Sequence, residues 1–417
     1  MIPQGYKQTE IGIIPKDWEV VSLADICCTK GIVRGPFGGA LKKEIFVDDG
    51  YKVYEQGNAI YRSIERGNYY IDTKKYNEMI RFAVNTGDFI VSCSGTIGLI
   101  YRIPDNAPKG IINQALLKLT INKTQINPDY FYLYFSWDEF NKRITDDIQG
   151  GAIKNLVKME LFKKTWLLKP SIPEQEKIAE VLSDTDDLIS SLEKLIEKKK
   201  AIKEGAMQNL LTGKARLPGF TNKWEEIALN ELFDFAKGTG LSKEKLNSDG
   251  KNKCILYGEL FTRYEEIIED VVNCTDENIG VISKAFDVLM PCSTTTNGID
   301  LATASVIMKD GILLGGDIVI LRPKNKMDSR IFGYLMRLKA KEIVQYTQGS
   351  TIVHLNIKSF AKMKINITLD YEEQKAIAEI LSDMDKEIEQ LERKLAKARL
   401  IKQGMMQQLL TGKIRLV

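Results

Sequence analysis

Apolar side chains recur every three or four residues along two stretches of the sequence, 174–217 and 373–416. The repeating positions of the first stretch are Ile178, Leu182, Ile189, Leu192 and Ile196. Those of the second stretch are Ile377, Leu381, Ile388, Leu391 and Leu395. Because this spacing places the apolar residues on one face of an α-helix, it predicts two long helices that pair as a coiled coil.

The second stretch repeats the first, with roughly 25 of about 44 positions identical and no gap. A tryptophan, Trp18 or Trp224, precedes an apolar run ahead of each intervening segment, so the repeating unit includes a globular body. We therefore expect an α+β protein with an internal pseudo-twofold repeat. The predicted parts are a first body at 1–170, a helix at 171–217, a second body at 218–369 and a helix at 370–417.

Each long helix has a start signal and a stop signal. Ser171 with Glu174, and Asp370 with Glu373, have the spacing of a capping box, in which the two side chains bond each other's backbone N–H. Gly213 and Gly412 are suited to the left-handed conformation that closes a helix. About 38 residues lie between these signals, which corresponds to roughly 57 Å of helix and predicts a rigid spacer.

The charges indicate how the two helices pair. The first half of each helix is acidic, as at Asp186 and Asp385, and the second half is basic, as at Lys203 and Lys402. Antiparallel pairing would set acid against base. The same polarity also complements each helix dipole, and the two causes can act together.

Polar loops between β-rich runs supply the candidate contacts to a ligand. The first body has a glycine-rich loop around Arg34 and a Ser/Gly-rich turn at 92–98 that separates two predicted strands around Ile90 and Ile100. The second body has a turn rich in Ser, Thr and Asn at 293–298. Such groups meet phosphates or base edges, but they also satisfy their own backbone in ordinary turns. The candidate DNA-binding residues are Arg34, Lys42, Lys43, Ser94, Thr96, Lys154, Asn155, Lys237, Thr239, Arg263, Thr295, Thr296, Asn297, Ser350, Thr351 and His354.

Composition restricts the function further. No apolar run approaches the ~20 residues that cross a membrane, and the six cysteines form no CxxC pair, so we expect a cytoplasmic protein without a metal site. The net charge of +3 is small for a DNA-binding protein, which suggests that partners help to bind DNA.

Signatures of catalysis are weak. The sequence Asn127-Pro128-Asp129-Tyr130 is close to a tetrad of amino-methyltransferases, but its third residue differs and helix capping explains Asn127 and Pro128. His354 is the only histidine, so no second histidine exists to share a triad or metal site. We therefore expect a chain without catalytic residues or a cofactor of its own.

The helix motif E-Q-x-x-I-A-E-[VI]-L-S-D followed by L-L-T-G-K-x-R-L occurs twice, each time after an unlike globular body. In this the whole chain resembles the specificity (S) subunits of type I restriction-modification systems. The resemblance implies two target recognition domains that each read one half of a split site in double-stranded DNA, and antiparallel helices that set the spacer.

The resemblance also implies partners. Two methyltransferase (modification) subunits, which use S-adenosylmethionine, would dock on this chain, and motor-nuclease (restriction) subunits with ATPase activity would join them. S-adenosylmethionine and ATP are expected on those partners only. The alternatives are a stand-alone DNA-binding or scaffolding protein with a coiled-coil arm, and an enzyme with an unrecognised active site.

Overall fold

The computed structural model describes residues 2–37, 39–146 and 155–416, without the side chains of residues 146 and 155. The chain forms two compact units. Unit 1 comprises Met1–Ser191 and Leu395–Val417, and unit 2 comprises Leu192–Lys394. Each unit therefore contains one globular body and one half of each long helix.

Unit 1 contains short strands and helices before the first long helix. Its strands are β1 (Tyr6–Thr9), β2 (Gly12–Pro15), β3 (Glu19–Ser22), β4 (Cys27–Arg34), β5 (Phe46–Val47), β6 (Tyr51–Tyr54), β7 (Tyr70–Ile71), β8 (Ala83–Val84), β9 (Phe89–Ser92), β10 (Ile100–Arg102), β11 (Gly110–Ile112), β12 (Leu116–Ile121), β13 (Thr145–Asp146), β14 (Asn155–Leu156) and β15 (Trp166–Lys169). Its helices are α1 (Leu23–Ile26), α2 (Gln56–Ile60), α3 (Thr73–Glu78), α4 (Pro128–Ser136), α5 (Asp138–Ile144), α6 (Met159–Lys164) and the first part of α7 (Ile172–Leu210), with 3₁₀ turns at Lys43–Ile45 and Ile80–Phe82.

Two sheets form the body of unit 1. One is antiparallel with the order β10-β9-β12-β4, and the other has the order β5-β7-β6-β11-β8 with a parallel β6–β11 pair. Two-residue or four-residue strands form the pairs β1-β2, β13-β14 and β15-β3. The predicted strands around Ile90 and Ile100, with a turn between them, are confirmed as β9 and β10.

The main core of unit 1 lies between the first sheet and α4. Phe89, Phe131 and Phe135 are buried there, together with Ile178 and Leu182 from the start of α7. Asn127 caps α4, because its side-chain oxygen accepts hydrogen bonds from the backbone N–H of residues 129 and 130. The long helix is thus packed into the body rather than attached to it by a linker.

Unit 2 repeats this plan with different residues. Its strands are β16 (Glu225–Ala228), β17 (Phe233–Lys237), β18 (Asn252–Ile255), β19 (Ile267–Ile268), β20 (Cys274–Thr275), β21 (Val281–Ile282), β22 (Asp287–Pro291), β23 (Ser293–Thr294), β24 (Ser305–Ile307), β25 (Leu313–Leu314), β26 (Ile318–Pro323), β27 (Thr347–Gln348), β28 (Val353–Leu355) and β29 (Lys364–Ile367). Its helices are α8 (Leu229–Leu232), α9 (Glu259–Thr262), α10 (Arg330–Leu338), α11 (Ala340–Ile343), α12 (Ile357–Phe360) and the first part of α13 (Tyr371–Leu409), with 3₁₀ turns at Lys243–Lys245, Gly298–Ala302 and Val344–Tyr346.

The sheet orders of unit 2 are β17-β26-β22-β24-β19, β20-β18-β25-β21, β23-β28-β27 and β16-β29. The run β17-β26-β22-β24 has the same antiparallel order as β4-β12-β9-β10 of unit 1. Its core again includes the start of a long helix, here Ile377 and Leu381 of α13. The expected α+β fold with an internal repeat is confirmed.

The two long helices pair antiparallel. In unit 1 the early residue Asp186 of α7 accepts a hydrogen bond of 2.6 Å from Lys402, a late residue of α13. In unit 2 the late residue Lys199 of α7 lies 2.7 Å from Glu387, an early residue of α13. Lys203 of the same helix pairs with Asp385. The predicted match of acidic and basic halves is therefore confirmed in each unit.

The predicted seam residues differ in burial. Leu192, Ile189 and Leu395 are partly buried. The fully or almost fully buried positions are Ile178, Leu182, Ile196, Ile377, Leu381, Ile388 and Leu391. Since Ile178 and Leu182, like Ile377 and Leu381, belong to the cores of the bodies, these four residues face a globular body as well as a helix.

An ion pair joins the end of one helix segment to the start of the other in each unit. In unit 1, Arg415 binds Glu174 through two hydrogen bonds of 2.6 and 2.8 Å, and Trp18 donates to the same carboxylate at 2.9 Å. In unit 2, Arg216 binds Glu373 at 2.6 and 2.9 Å. Both carboxylates are buried.

The capping boxes predicted at these helix starts are therefore incomplete: the box of Asp370 keeps one of its two bonds, and the side chain of Ser171 makes neither capping bond among the described residues. Asp370 accepts from the backbone N–H of Glu373 at 3.3 Å, as a cap should. The reciprocal bond is missing, because the carboxylate of Glu373 is occupied by Arg216 and that of Glu174 by Arg415 and Trp18. The N–H of Asp370 instead donates to Thr368 at 3.2 Å.

The glutamine after each of these glutamates ties the helix to its body. Gln175 is fully buried; its Oε1 accepts from the N–H of Asn127 at 2.7 Å and its Nε2 donates to the carbonyl of Pro170 at 2.8 Å. Gln374 makes the equivalent bonds to Asp328 and Thr368, at 2.9 and 2.8 Å. Each glutamine thereby fixes the start of a body helix against the start of a long helix.

The predicted left-handed glycines are confirmed, with φ of +71° at Gly213 and +69° at Gly412. A Cβ on Gly412 would lie 2.7 Å from the ring of Pro15, and one on Gly213 would lie 3.1 Å from Trp224. Glycine is thus required at both positions by backbone conformation and by the packed ring.

Among the described residues, no helix is long and apolar enough to cross a membrane.

Replacing Arg415 by alanine should destabilise unit 1 by about 3 kcal/mol, because the buried carboxylate of Glu174 would lose its cationic partner and keep only the hydrogen bond from Trp18. Arg216→Ala should do the same to unit 2 through Glu373. Urea unfolding followed by hydrogen exchange in each unit would measure both. Lys413→Ala, an exposed neighbour on the same segment, is the control. Equal stability of the Arg415→Ala and Lys413→Ala variants would contradict the role given to this ion pair.

Candidate nucleic-acid interface

Two candidate loops of the first body meet at one end of its antiparallel sheet. The glycine-rich loop leaves β4 at Arg34, which pairs with Leu117, and the Ser/Gly-rich turn leaves β9 at Ser92, which pairs with Leu116. Because Leu116 and Leu117 are the first two residues of β12, the two loops lie side by side. The fold thus brings Arg34 and Ser94 to the same edge of the body.

Gly35 shows why the first loop is rich in glycine at this point. A Cβ on Gly35 would lie 1.8 Å from the carbonyl oxygen of Asn113. Close packing against the chain's own backbone therefore explains why this residue is glycine, and a bound phosphate is not needed to explain it.

A third candidate segment starts beside the same turn. A Cβ on Gly98 would lie 2.1 Å from Oδ1 of Asn141 in α5, and α5 leads directly into β13. Strand β13 pairs with β14, which begins at Asn155. Lys154 lies outside the described residues, and only the backbone of Asn155 is described.

The candidate side chains of the first body are free to meet a ligand. Arg34, Lys42, Lys43, Ser94 and Thr96 are all exposed. Within the described part of the chain, none of the five side chains makes a hydrogen bond or an ion pair with another residue. Beneath them, burial raises the pKa of the Cys93 thiol to about 11, and the nearby charge of Arg34 acts in the opposite direction. Cys93 is therefore a neutral, buried residue beneath a basic surface.

The second body has an equivalent edge. Lys237 at the end of β17 pairs with Val319, and Pro291 at the end of β22 pairs with Ile318. Strand β23 then pairs with β28, which sets Ser293 opposite His354. The turn at 293–298 and the loop at 348–353 are thereby brought together, as the sequence alone could not establish.

The polar residues of this second edge fall into two groups. Thr296 donates to Asp300, and Oδ1 of Asn297 accepts from the N–H of Ile299 at 3.1 Å. These two side chains satisfy their own turn, which is the alternative that the sequence left open. The exposed candidates without a side-chain hydrogen bond among the described residues are Lys237, Thr295, Ser350, Thr351 and His354.

Thr239 and Arg263 lie outside the pair of loops at 293–298 and 348–353. Oγ1 of Thr239 accepts from the N–H of Val281 at 3.3 Å, which ties the loop after β17 to the start of β21. Arg263 lies 3.5 Å from Glu259 and lines a cavity of about 360 Å³ together with Asp300. Arg263 thus shares a cavity with the 3₁₀ turn Gly298–Ala302, which Asn297 precedes.

Gln56 is a further polar residue at this edge, and it is absent from the candidates predicted from the sequence. Its Nε2 lies 3.9 Å from the position of a Cβ on Gly95, and its Oε1 is buried without a hydrogen-bond partner in the described structure. The same segment carries two exposed arginines, and the guanidinium of Arg66 lies 4.3 Å from the ring centre of exposed Tyr61. The clustering of Gln56, Tyr61 and Arg66 within eleven residues was the available signal in the sequence.

Both edges have the chemistry of a nucleic-acid contact surface. Arginine and lysine bind phosphates and guanine, glutamine matches adenine, and hydroxyl groups accept either pattern of donors and acceptors. Across the described ranges, no group of three or more His, Cys, Asp or Glu side chains is placed to hold a metal ion.

Comparison with known proteins identifies the family. Residues 15–204 and 221–398 match the type I restriction modification DNA specificity domain. The putative specificity subunit of the type I restriction enzyme MjaX from Methanocaldococcus jannaschii is 27% identical over 99% of this chain and 97% of its own length. The MjaVIII specificity subunit of the same organism is 25% identical over 96% of this chain and 94% of its own length.

Solved structures share the fold. The crystal structure of the type I S subunit from M. genitalium has a TM-score of 0.56 at 17% identity and covers 94% of this chain and 96% of its own. A chain from a study of complex assembly in the type I restriction-modification system has a TM-score of 0.57 at 14% identity and covers 96% of this chain and 99% of its own. The chain therefore belongs to the type I restriction modification DNA specificity family, in which it is a non-catalytic specificity subunit.

Proposed function

We propose that this specificity subunit reads a bipartite site in double-stranded DNA, with one half-site for each body. The target recognition domains would be residues 1–170 and 218–369. The observation that carries the proposal is that two bodies with the same order of four antiparallel strands present unlike polar side chains at the equivalent edge. Two bodies with the same strand arrangement and different loops can recognise two different short DNA sequences.

The long helices would set the distance between the half-sites. Each comprises 39 residues, which corresponds to about 58 Å of helix. A pair of such helices, joined by ion pairs in each unit, is stiff enough to act as a spacer. The segments 171–217 and 370–417 would have this role.

The same helices would dock two methyltransferase subunits. In unit 1 they expose Leu188, Leu400 and Ile401, and in unit 2 they expose Leu195 and Ile202. Exposed apolar residues on an otherwise charged helix pair suit a protein partner. Because the helices repeat, two copies of one partner can bind equivalent faces.

Catalysis would then belong to the partners. S-adenosylmethionine would be bound by the methyltransferase subunits and ATP by the restriction subunits, in the cytoplasm. This chain would recognise the DNA sequence and act as the scaffold for the partners.

The proposal is tested by co-expressing the chain with its host's methyltransferase subunits and sequencing methylated adenines in the DNA. We expect a split site with an unread gap. Exchanging residues 218–369 for the second body of a relative should change one half-site only. Methylation without the chain, or a change in both half-sites after the exchange, would contradict the proposal.

Lengthening the spacer is a second test. Four extra residues after Leu192 and after Leu391 add about 6 Å to each helix and keep nearly the same helix face. We expect the unread gap to grow by about one or two base pairs of ~3.4 Å while both half-sites stay the same. A changed half-site with an unchanged gap would disprove the spacer role.

The basic loop of the first body gives a third prediction. The Lys42→Ala, Lys43→Ala double variant should weaken DNA binding and lower the slope of log affinity against log salt by about 1 to 2, if each lysine neutralises one phosphate. Fluorescence anisotropy of labelled duplex over a range of salt measures this.

A matched control has the same change in charge at the other end of the sheet. Lys163 and Lys164 are exposed neighbours on α6, which packs against α1 at the start of β4. The Lys163→Ala, Lys164→Ala variant should keep the wild-type slope. An equal loss of slope in both variants would show a general effect of charge rather than a local phosphate contact.

A further inference from the structure

Phe37 and Ile279 are the most exposed large hydrophobic side chains of the described residues. Phe37 is 96% exposed and Ile279 is 87% exposed, whereas the next, Leu400, is 68% exposed. A side chain with almost no contacts contributes little to folding, so a large apolar one in this state is informative.

Phe37 belongs to the glycine-rich loop of the first body. The backbone N–H of Ala40 donates to the carbonyl of Phe37 at 2.9 Å, which closes a turn immediately after the aromatic residue. The exposed cations Arg34, Lys42 and Lys43 lie on the same loop. The ring is therefore an apolar tip within a basic surface.

Ile279 has the equivalent place in the second body. Gly238 follows β17 as Gly35 follows β4, and their added Cβ atoms would lie 1.9 Å from the carbonyl oxygen of Gly315 and 1.8 Å from that of Asn113. These oxygens precede the matching strands β26 and β12. The two loops thus leave the two bodies at the same point.

The loop of the second body has Thr239 and Gly240 where the first has Pro36 and Phe37. A neighbouring segment supplies the apolar side chain instead. Thr239 accepts a hydrogen bond from Val281, and Ile279 lines a cavity of about 270 Å³ with Thr239 and Gly240. Two different segments have therefore placed an exposed hydrophobic side chain beside the same loop.

DNA is the occupant that this arrangement favours. Lys245 lines the cavity with Ile279, where it lies 3.1 Å from Glu277, and exposed Lys237 ends the strand from which the neighbouring loop leaves. In the first body, exposed Arg34 and Lys42 lie on the loop of Phe37 itself. A polyanion satisfies these cations, while the flat apolar faces between its base pairs accept a hydrophobic side chain. Proteins that insert Phe or Ile between base pairs partly unstack the step and bend the duplex.

We propose that Phe37 and Ile279 are apolar wedges that insert between base pairs, one in each half-site. The proposal rests on the proposed function, since it deepens the account of how each body meets DNA. The wedge fixes the position of a body along the duplex. Because base-pair steps differ in how easily they unstack, it also adds to the sequence specificity.

The test uses the complex of the full chain with its methyltransferase subunits. The probe is a duplex with the site mapped from host methylation, in which 2-aminopurine replaces one base at a time. Unstacking raises 2-aminopurine fluorescence. The adenines mapped as methylated are left unsubstituted, because a methyltransferase flips its target base out of the stack. We expect a rise at one other step in each half-site with the wild-type complex.

Each variant should then affect one half-site. Phe37→Ala should abolish the rise in the first half-site only and weaken binding about tenfold, since loss of one aromatic contact to a base has an effect of this order. Phe37→Trp should restore both. Ile279→Ala should abolish the rise in the second half-site only, with a smaller loss of affinity.

Two exposed apolar residues away from these loops serve as controls, Ile13 in β2 and Val272 before β20. Ile13→Ala and Val272→Ala should leave fluorescence and affinity unchanged. No rise with the wild-type complex on a duplex that it binds would overturn the wedge and leave the proposed function intact. Loss of methyltransferase binding in Phe37→Ala, with DNA binding unchanged, would show a protein contact and also overturn it. A complex that binds no duplex would instead refute the proposed function.

Discussion

The buried carboxylate at the start of each long helix is the constraint on which the rest of the structure depends. Burying the carboxylates of Glu174 and Glu373 inside a body is costly without a cation, and the arginine that each requires comes from the end of the other helix segment in its unit. This requirement fixes the direction of pairing, because only antiparallel helices bring the end of one to the start of the other. The glutamine next to each carboxylate then fixes the body helix to the same point.

This constraint separates the parts that must stay the same from those that can differ. In unit 1, Trp18, Glu174, Gln175 and Arg415 form a frame in which Trp18 and Arg415 both bond the carboxylate and Gln175 bonds the body. The glutamate, glutamine and arginine recur in unit 2 as Glu373, Gln374 and Arg216, whereas Nε1 of Trp224 is buried without a hydrogen-bond partner in the described structure. The loops at the opposite end of each sheet contribute few side chains to this frame. They can therefore change with the DNA sequence to be read without affecting the pairing of the helices.

The two edges also differ in how freely their side chains can act. In the first body the cations and hydroxyls of the two described loops make no side-chain bonds to other described residues. In the second body Thr296 and Asn297 are held by their own turn, whereas Thr295 and His354 remain exposed. Turn-bound groups contribute shape and fixed orientation, and free groups contribute hydrogen bonds to the ligand.

The sequence by itself determined the architecture, because repetition, heptad spacing and charge are properties of order along the chain. The length of α7 and α13, their antiparallel pairing and the left-handed glycines all follow from such local patterns. The tertiary structure alone decided which loops share an edge, because strands β4, β9 and β12 are far apart in sequence and meet only through sheet pairing. It also decided the partner of Glu174, since a capping box and a buried ion pair have the same local sequence and differ only in whether Arg415, 241 residues away, reaches the carboxylate. For the same reason, the place of Gln56 beside Gly95 and the exposure of Phe37 and Ile279 were decided only by the folded chain.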